Sequence, residues 1–290
     1  MSARLRALAR ENGAIVATGG YRAPGGHEVS LARAVSAALS GTRAYGPDPV
    51  PVAVLDTDRV TVFEVTGESS LAAAARMTGA APGKVAVLNF ASARNPGGGY
   101  LNGARAQEED LCRASALHAT LLRAPEHYAH HRAHRSALYS DRVIHSPGVP
   151  VFRDDRERLL DAPYQVGFLT CPAPNAGVVR RAEPQNAHRV PAVLAGRAER
   201  VLEVAAVRGY RRLVLGAWGC GVFRNDPDEV AEAFRAPLRG RGRFAGHFEQ
   251  IVFAVLERNP DAPVRAAFAR AFGEPGSPPG AVGAATQLQP

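Results

Sequence analysis

The stretch from Lys84 to Leu122 places an apolar segment, a glycine turn and an amphipathic segment in immediate succession. Its first nine residues are apolar and β-branched enough for a central strand. The run Gly97 to Gly99 follows. Ordering glycines costs backbone entropy, so three in succession do not serve the stability of a helix or a sheet. Such a run suits a sharp bend or a backbone that lies against a ligand. Gln107 to Glu109 come next, and the apolar residues after them recur at helical spacing.

The two adjacent glutamates at the start of this predicted helix have an ordinary and a functional interpretation. Acidic residues stabilise the first turn of a helix through the helix dipole. That effect alone accounts for Glu108 and Glu109. The triglycine turn immediately before them favours a functional site instead.

The remainder of the chain divides into three parts. From residue 49 to 273 predicted strands and helices alternate, which indicates a layered α/β domain with a largely parallel sheet. Residues 1–48 form an accessory extension with a first helix, and residues 274–290, rich in Gly, Pro and small residues, are predicted to be a disordered tail. The predicted strands include Ala14–Ala17, Val52–Leu55, Val60–Val65, Val143–Ser146, Val166–Cys171, Arg212–Gly216 and Gln250–Leu256.

Charge and cysteine content narrow the classes of protein. The net charge is +8, but Lys84 is the only lysine and the arginines are scattered without interleaved aromatic residues. This argues against a specific nucleic-acid module and leaves a polyanionic ligand possible. The three cysteines form no CxxC pair and are odd in number, which predicts a reduced, cytoplasmic protein. No apolar run approaches the length of a membrane span.

A second glycine loop, Gly216 to Asn225, directly follows the apolar strand Arg212–Gly216. Asp226 and Pro227 after it are typical of a capped helix start. A strand, a glycine loop and a capped helix together present backbone N–H groups to phosphates; a tight turn that needs glycine dihedral angles is the alternative. The loop is neither a Walker motif nor a GxGxxG motif, which argues against a Rossmann-type NAD enzyme.

Four histidines and one loop cysteine are weaker candidates. His127, His130, His131 and His134 share one helical face, but no acid or cysteine completes a metal site. We therefore expect a solvated helix face and no metal. Cys220 lies between two glycines and is interpreted as a small loop residue rather than a nucleophile.

Three glycines, seven intervening residues and Gln-Glu-Glu together resemble the signature of poly(ADP-ribose) glycohydrolases. The resemblance extends from about Val52 to Leu256 and is greatest to the compact bacterial type, whose catalytic core is a macrodomain. It implies a three-layer α/β/α macrodomain-like fold with a mixed, largely parallel sheet and a short N-terminal helical extension.

The same resemblance implies an activity. The chain is expected to hydrolyse ribose–ribose O-glycosidic bonds in poly(ADP-ribose), working from chain ends and releasing ADP-ribose. It implies poly-ADP-ribosylated proteins as partners, a role in the DNA damage response, a monomer and no cofactor.

Site residues are implied residue by residue. Glu109 is expected to act as general acid and then as the base that activates water, Glu108 to bond ribose hydroxyls, and Gln107 to hold the loop geometry. Two adjacent carboxylates suit this chemistry, because like charge and desolvation keep one protonated near neutral pH. Asn95 is expected at the distal ribose. The other implied substrate-binding residues are Gly97, Gly98 and Gly99 in the first loop, Gly219, Cys220, Gly221 and Val222 around the diphosphate, and Phe223 against the adenosine or its ribose.

Two other functions use the same loops. One is a non-catalytic ADP-ribose-binding module, which does not need the Gln-Glu-Glu sequence. The other is a hydrolase of mono-ADP-ribosylated protein, against which that sequence also argues. An assay of the cleaved linkage distinguishes them.

Overall fold

The computed structural model describes residues 2–52, 58–257 and 259–273. The N-terminal half contains, in chain order, α1 (Ala3–Thr18), β1 (Gly20–Arg22), β2 (Glu28–Ser30), α2 (Ala32–Gly41), β3 (Arg43–Tyr45), β4 (Val62–Thr66), α3 (Ser70–Ala80), β5 (Val85–Phe90), α4 (Gln107–Ala114), α5 (Leu117–Leu121) and α6 (Pro125–Ala133). The C-terminal half contains β6 (Val143–Arg153), β7 (Leu159–Cys171), α7 (Ala176–Ala182), α8 (Val190–Val207), β8 (Arg212–Gly216), α9 (Pro227–Leu238), β9 (Gln250–Ala254) and α10 (Pro263–Phe272). Short 3₁₀ turns lie at Tyr100–Asn102 and Pro184–Arg189.

Among the described residues, a seven-stranded mixed sheet organises the fold, with the order β3-β6-β7-β5-β8-β9-β4. Strands β7, β5, β8, β9 and β4 run parallel to one another, and β6 is antiparallel to both of its neighbours, β3 and β7. Helices pack on both faces of this sheet. The predicted α/β/α architecture with a largely parallel sheet is therefore confirmed.

Strand β5 lies at the centre and is buried on both faces, which explains its unbroken apolar sequence. Ala86 and Leu88 belong to the core that packs against α8 and α9. Val85 and Val87 belong to the opposite core, beneath α3 and α4. Alternate side chains of a strand point to opposite faces, so one strand supplies both cores.

Two sequence predictions about local structure are wrong. The predicted strand Ala14–Ala17 is the end of α1, which tolerates Gly13 and ends only where Gly19 adopts a left-handed conformation with φ 77°. The strand predicted to end at Ser146 continues to Arg153. A register irregularity between Ser146 and Val149 accommodates the intervening proline and glycine within the β6–β7 ladder.

The predicted extension contributes to the central sheet. Arg43 to Tyr45 pair with β6 as an edge strand, although the sequence boundary was placed at residue 48. Beyond them, the predicted strand Val52–Leu55 lies mostly outside the described residues, and the predicted tail from residue 274 lies wholly outside them.

Candidate active site

The sheet brings the two glycine loops together at one edge. Strands β5 and β8 are parallel neighbours, with Val85 opposite Arg212 and Val87 opposite Val214. Each glycine loop begins where its strand ends, and the carboxyl ends of parallel strands lie at the same edge of a sheet. Segments more than a hundred residues apart in the chain therefore form one site.

The first loop requires glycine for steric reasons. Gly97 and Gly98 have φ of 69° and 57°, a region that residues with a β-carbon seldom occupy. A β-carbon at Gly98 would lie 2.5 Å from Oε1 of Glu109 and 3.0 Å from Oε2 of Glu108. Gly99 N–H donates to the same Oε1 of Glu109 at 2.8 Å. The turn is thus built around the two carboxyl groups.

Gln107 fixes the first turn of α4 to strand β5. Its Oε1 accepts from Phe90 N–H at 2.8 Å, and its Nε2 donates to Leu88 O at 2.8 Å. A further bond from Nε2 reaches Ser70 Oγ at 3.1 Å. The amide carries both a donor and an acceptor, whereas an ionised glutamate at this position would have no donor. These bonds join α4 to β5 and to the start of α3, and the loop-holding role of Gln107 stays a prediction.

Glu108 lies deep beneath the loop. Only 3% of its surface is exposed. Ser92 N–H donates to its Oε2 at 2.7 Å, and Asn89 Nδ2 donates to its Oε1 at 3.2 Å. Burial raises the pKa of Glu108 to about 8, with a smaller contribution from the Glu109 charge, against the lowering effect of these hydrogen bonds. Burial therefore favours the protonated form of Glu108.

The raised pKa of Glu108 makes stability depend on pH. The folded-state pKa lies above the unfolded value of 4.5, so the folded protein holds the Glu108 proton more tightly than the unfolded chain does. The contribution of Glu108 to the free energy of unfolding is therefore fully present below pH 4.5 and is lost as pH rises through about 8. Between pH 6.5 and 8 we expect the free energy of unfolding to fall by up to about 1.4 kcal/mol per pH unit. Urea unfolding of the native protein and Glu108→Gln at several pH values measures this difference. An identical slope in both proteins would contradict it.

Glu109 occupies the adjacent position on α4. It is 8% exposed, and Gly99 holds its Oε1 as described above. Its carboxyl group faces the triglycine turn. Glu109 is thus fixed in orientation and less deeply buried than Glu108, which suits a group that must reach a ligand.

Buried side chains anchor the two ends of the second loop, and its middle is exposed. Trp218 is fully buried and its Nε1 donates to Cys171 O at 2.9 Å. Asn225 is also buried, and its Nδ2 donates to Pro174 O at 2.9 Å. Val222, by contrast, is 81% exposed, and a β-carbon on Gly221 would meet no atom within 4 Å. The loop ends at α9, where Asp226 accepts from the backbone N–H of Asp228, as the predicted N-cap requires.

A cleft of about 880 Å³ opens along the carboxyl ends of β5, β8 and β9. Phe90, Gln107, Cys220 and Gly221 contribute to its wall. It lies on the Gln107 face of α4, whereas Glu109 lies on the neighbouring face, against the triglycine turn. A ligand with one end in the cleft must therefore extend across the first turn of α4 to reach Glu109. The cleft is large enough for the nucleoside part of such a ligand.

Three further predicted side chains lie in the two loops: Asn95, Phe223 and Cys220. Asn95 is exposed in the loop before the triglycine turn, where its carbonyl accepts from Gly98 N–H at 3.0 Å. Phe223 is half-buried, with its ring centroid 6.1 Å from that of Tyr139. Burial raises the pKa of the Cys220 thiol to about 12, which disfavours a thiolate nucleophile.

The expectation of a solvated histidine face is wrong for half of the residues. His127 and His131 are each 1% exposed, whereas His134 is exposed. His131 Nδ1 bonds the His127 carbonyl at 2.9 Å, and its Nε2 bonds Ser140 Oγ at 2.8 Å. Helical spacing located the shared face but could not show that part of it packs inward. Within residues 2–52, 58–257 and 259–273, no group of histidine, cysteine and acidic side chains is arranged to hold a metal ion.

Sequence reasoning missed three buried polar residues that support the site. Asn89 bonds Glu108 and also donates to Thr170 Oγ1 at 3.2 Å. Arg113, 1% exposed, donates to Ala104 O at 2.7 Å and so holds the loop that precedes α4. Asn12 of α1 donates in turn to the Arg113 carbonyl at the end of α4. An Asn within an apolar strand was the one available signal, since buried polar side chains need partners.

Fold and site together define a macrodomain-like α/β protein, with a nucleotide-sized cleft and a carboxyl pair against the triglycine turn. The chain belongs to the microbial-type poly(ADP-ribose) glycohydrolases, whose catalytic-domain family model matches residues 9–154. No curated protein matches the chain.

Solved structures of bacterial poly(ADP-ribose) glycohydrolases are similar over most of the chain. The Thermomonospora curvata enzyme bound to the inhibitor ADP-HPD is 52% identical with a TM-score of 0.87, and the match covers 93% of this chain and 100% of that one. The Deinococcus radiodurans enzyme in complex with ADP-ribose is 45% identical with a TM-score of 0.77, over 84% of this chain and 99% of that one. A T. curvata variant with one glutamate replaced by alanine, 52% identical, has a TM-score of 0.86 over 93% of this chain and 100% of that one.

Proposed function

We propose that this chain hydrolyses the ribose–ribose O-glycosidic bonds of poly(ADP-ribose) from the chain end and releases ADP-ribose. The observation that carries the proposal is the position of Glu109, whose Oε1 accepts from Gly99 N–H in the triglycine turn beyond the carboxyl end of β5. The ADP-ribose and inhibitor complexes of the similar bacterial enzymes support the choice of ligand.

The mechanism assigns one proton to Glu109 in each half of the reaction. As the bond between C1″ of the distal ribose and the bridging oxygen breaks, Glu109 gives its proton to the leaving 2′-oxygen. Water then attacks C1″ and returns a proton to Glu109. Glu108 is proposed to bond ribose hydroxyls beside it, and Asn95 to bond the distal ribose from the loop.

The second glycine loop is proposed to bind the diphosphate. Backbone N–H groups of Gly219, Gly221 and Val222 are the donors, Cys220 lies among them with its own N–H donating to Ala217 O at 3.2 Å, and Phe223 packs against the adenosine or its ribose. A β-carbon on Gly221 would enter the space above the loop, because no protein atom lies within 4 Å of it.

Gly221→Ala is therefore expected to fold normally and to bind ADP-ribose about tenfold more weakly, equivalent to about 1.4 kcal/mol. Calorimetric titration with ADP-ribose measures the change. Gly196→Ala in α8, which also has no atom within 4 Å of the added carbon, is the matched control. Equal affinity of both variants would remove the loop from the binding site.

The assay of function compares two linkages. Purified protein is incubated with poly(ADP-ribose) and, separately, with mono-ADP-ribosylated protein, and free ADP-ribose is quantified. Release from the polymer alone is the expected result. Release from the mono-modified protein alone identifies the other hydrolase, and binding of ADP-ribose without release identifies a binding module.

Organisation and cellular context are part of the same proposal. The division into an extension at 1–48 and a catalytic domain at 49–273 is kept as a proposal, in which the extension supplies edge strand β3 of the central sheet; the tail predicted at 274–290 lies outside the described residues. The protein is proposed to act as a cytoplasmic monomer on poly-ADP-ribosylated proteins in the DNA damage response. Its free cysteines, Cys112, Cys171 and Cys220, support a reducing compartment. Among the described helices, none is long and apolar enough to cross a bilayer.

A further inference from the structure

Five exposed arginines lie in or beside the two glycine loops and are not part of the lining of the cleft. We call them the basic rim. They come from the loop before the triglycine turn, from α6 and the segment after it, from α7 and from the second glycine loop: Arg94, Arg132, Arg135, Arg180 and Arg224.

Direct contacts join the first three of these arginines. Arg132 Nη1 donates to Arg94 O at 2.8 Å, and Arg94 Nη2 donates to Arg135 O at 3.0 Å. The Arg94 guanidinium lies 6.0 Å from the centre of the Tyr139 ring. Tyr139 has a φ of 58°, an unusual conformation for a residue with a β-carbon.

The contacts continue from Tyr139 into the second glycine loop. Its ring lies 6.1 Å from that of Phe223. Gly177 N–H donates to Phe223 O at 2.9 Å, and Arg180 Nη2 donates to Arg224 O at 2.6 Å. The rim is therefore a continuous surface that runs from the triglycine loop to the diphosphate loop.

Most of the positive charge of the rim is not neutralised within the part of the chain that the structure describes, although Arg180 interacts electrostatically with Glu229 of α9. The hydrogen bonds of these guanidinium groups go to backbone carbonyls, which leave the charge intact. None of the five forms a salt bridge with a described carboxylate. Glu183 bonds Ser136 and Ala137 instead.

The cleft has the opposite charge. Its lining includes the carboxylates Glu68, Asp110, Asp154, Asp155, Glu157 and Glu257, against the two cations Arg105 and Arg113. Both cations lie within ion-pair distance of Glu157. A further negatively charged stretch of substrate is repelled on this side and attracted on the side of the rim.

We propose that the basic rim binds the diphosphates of the ADP-ribose units that precede the one being hydrolysed. This inference rests on the proposed function. The leaving 2′-oxygen takes its proton from Glu109, so the preceding unit begins at that carboxyl group, and Arg94 lies only four residues before Gly98. Each further unit brings another diphosphate across the rim. A flexible nucleic acid is the less suitable occupant, because the rim lacks a series of exposed stacking aromatics.

The triple substitution Arg132→Gln, Arg135→Gln and Arg180→Gln tests the proposal without touching the proposed catalytic or binding residues. We expect kcat/KM on long poly(ADP-ribose) chains to fall about tenfold or more at low salt. The slope of log kcat/KM against log salt should become shallower by roughly two, at about 0.7 per lost phosphate contact. Hydrolysis of a single ADP-ribose unit with an aryl leaving group, which has no preceding diphosphate, should not change.

Two matched variants separate charge from structure. The same three positions changed to lysine keep the charge and should keep the preference for long chains. Arg10→Gln, Arg33→Gln and Arg241→Gln together remove equal charge from α1, from α2 and from the turn after α9, all exposed, and should leave the preference unchanged.

The outcomes distinguish this inference from the proposed function. If the native protein cleaves both substrates and the glutamine triple keeps its chain-length preference, the rim proposal is overturned and the function stands. If the native protein cleaves neither, the function fails, and the affinity of both proteins for the polymer still tests the rim. Loss of poly(A) RNA binding with unchanged polymer affinity would make the rim a nucleic-acid surface and overturn the proposal.

Discussion

Glu109→Gln is expected to lower the release of ADP-ribose from poly(ADP-ribose) by roughly 10³-fold, within the range that a general acid or base contributes. Glutamine has the same size as glutamate. Its Oε1 can accept the hydrogen bond that Gly99 N–H donates to Glu109 Oε1 at 2.8 Å in the native protein. It cannot give or take the proton that the leaving oxygen and the attacking water require. Initial rates of ADP-ribose release measure the loss, and calorimetric titration with ADP-ribose should show affinity within a few-fold of the native value.

A glutamate in the first turn of another helix is the matched control. Glu126 holds that position in α6 and is exposed. Glu126→Gln should therefore keep full activity, which separates a role in chemistry from a general effect of acidic residues at helix starts. Substantial turnover by Glu109→Gln would show that another group supplies the proton.

Gly98→Ala is expected to lower kcat by about 10²-fold, since displacement of a catalytic group by about 1 Å has effects of this size. The added carbon would lie 2.5 Å from Oε1 of Glu109, so the carboxyl group or the turn must move. The φ of 57° adds a backbone cost of about 1 kcal/mol or more. Steady-state kinetics and thermal unfolding of the same protein sample measure the two effects.

Gly26→Ala separates backbone strain from contact with the carboxyl group. Gly26 has a φ of 88° in the hairpin between β1 and β2, and an added carbon would meet no atom within 4 Å. Its alanine variant should share the loss of stability and retain activity. If Gly98→Ala keeps the native kcat, the position of Glu109 against the turn does not limit the reaction.

Local sequence patterns determined those elements whose evidence lies within a few residues. The apolar run of β5, the limits of β8 and the N-cap Asp226 were predicted and are confirmed. Capping and strand burial depend on neighbouring residues, so they can be read from a linear sequence. The glycine and Gln-Glu-Glu spacing identified the family for the same reason.

Contacts between remote segments decided the burial and the extent of elements that neighbouring residues in the chain do not specify. Glu108 and Glu109 have the same chemistry in the sequence, but the pKa of Glu108 is raised to about 8 by burial. The continuation of β6 past Pro147 depends on its pairing with β7. The inward packing of His127 and His131 likewise depends on contacts that helical periodicity cannot show.

The sequence by itself determined the family, the central strand and the two glycine loops, because each is encoded by residues close together in the chain. Only the tertiary structure decided that β5 and β8 are neighbours, that Glu108 is the more deeply buried carboxyl and that five arginines from four segments form one surface. These properties depend on desolvation and on distances between remote segments, which no local pattern specifies.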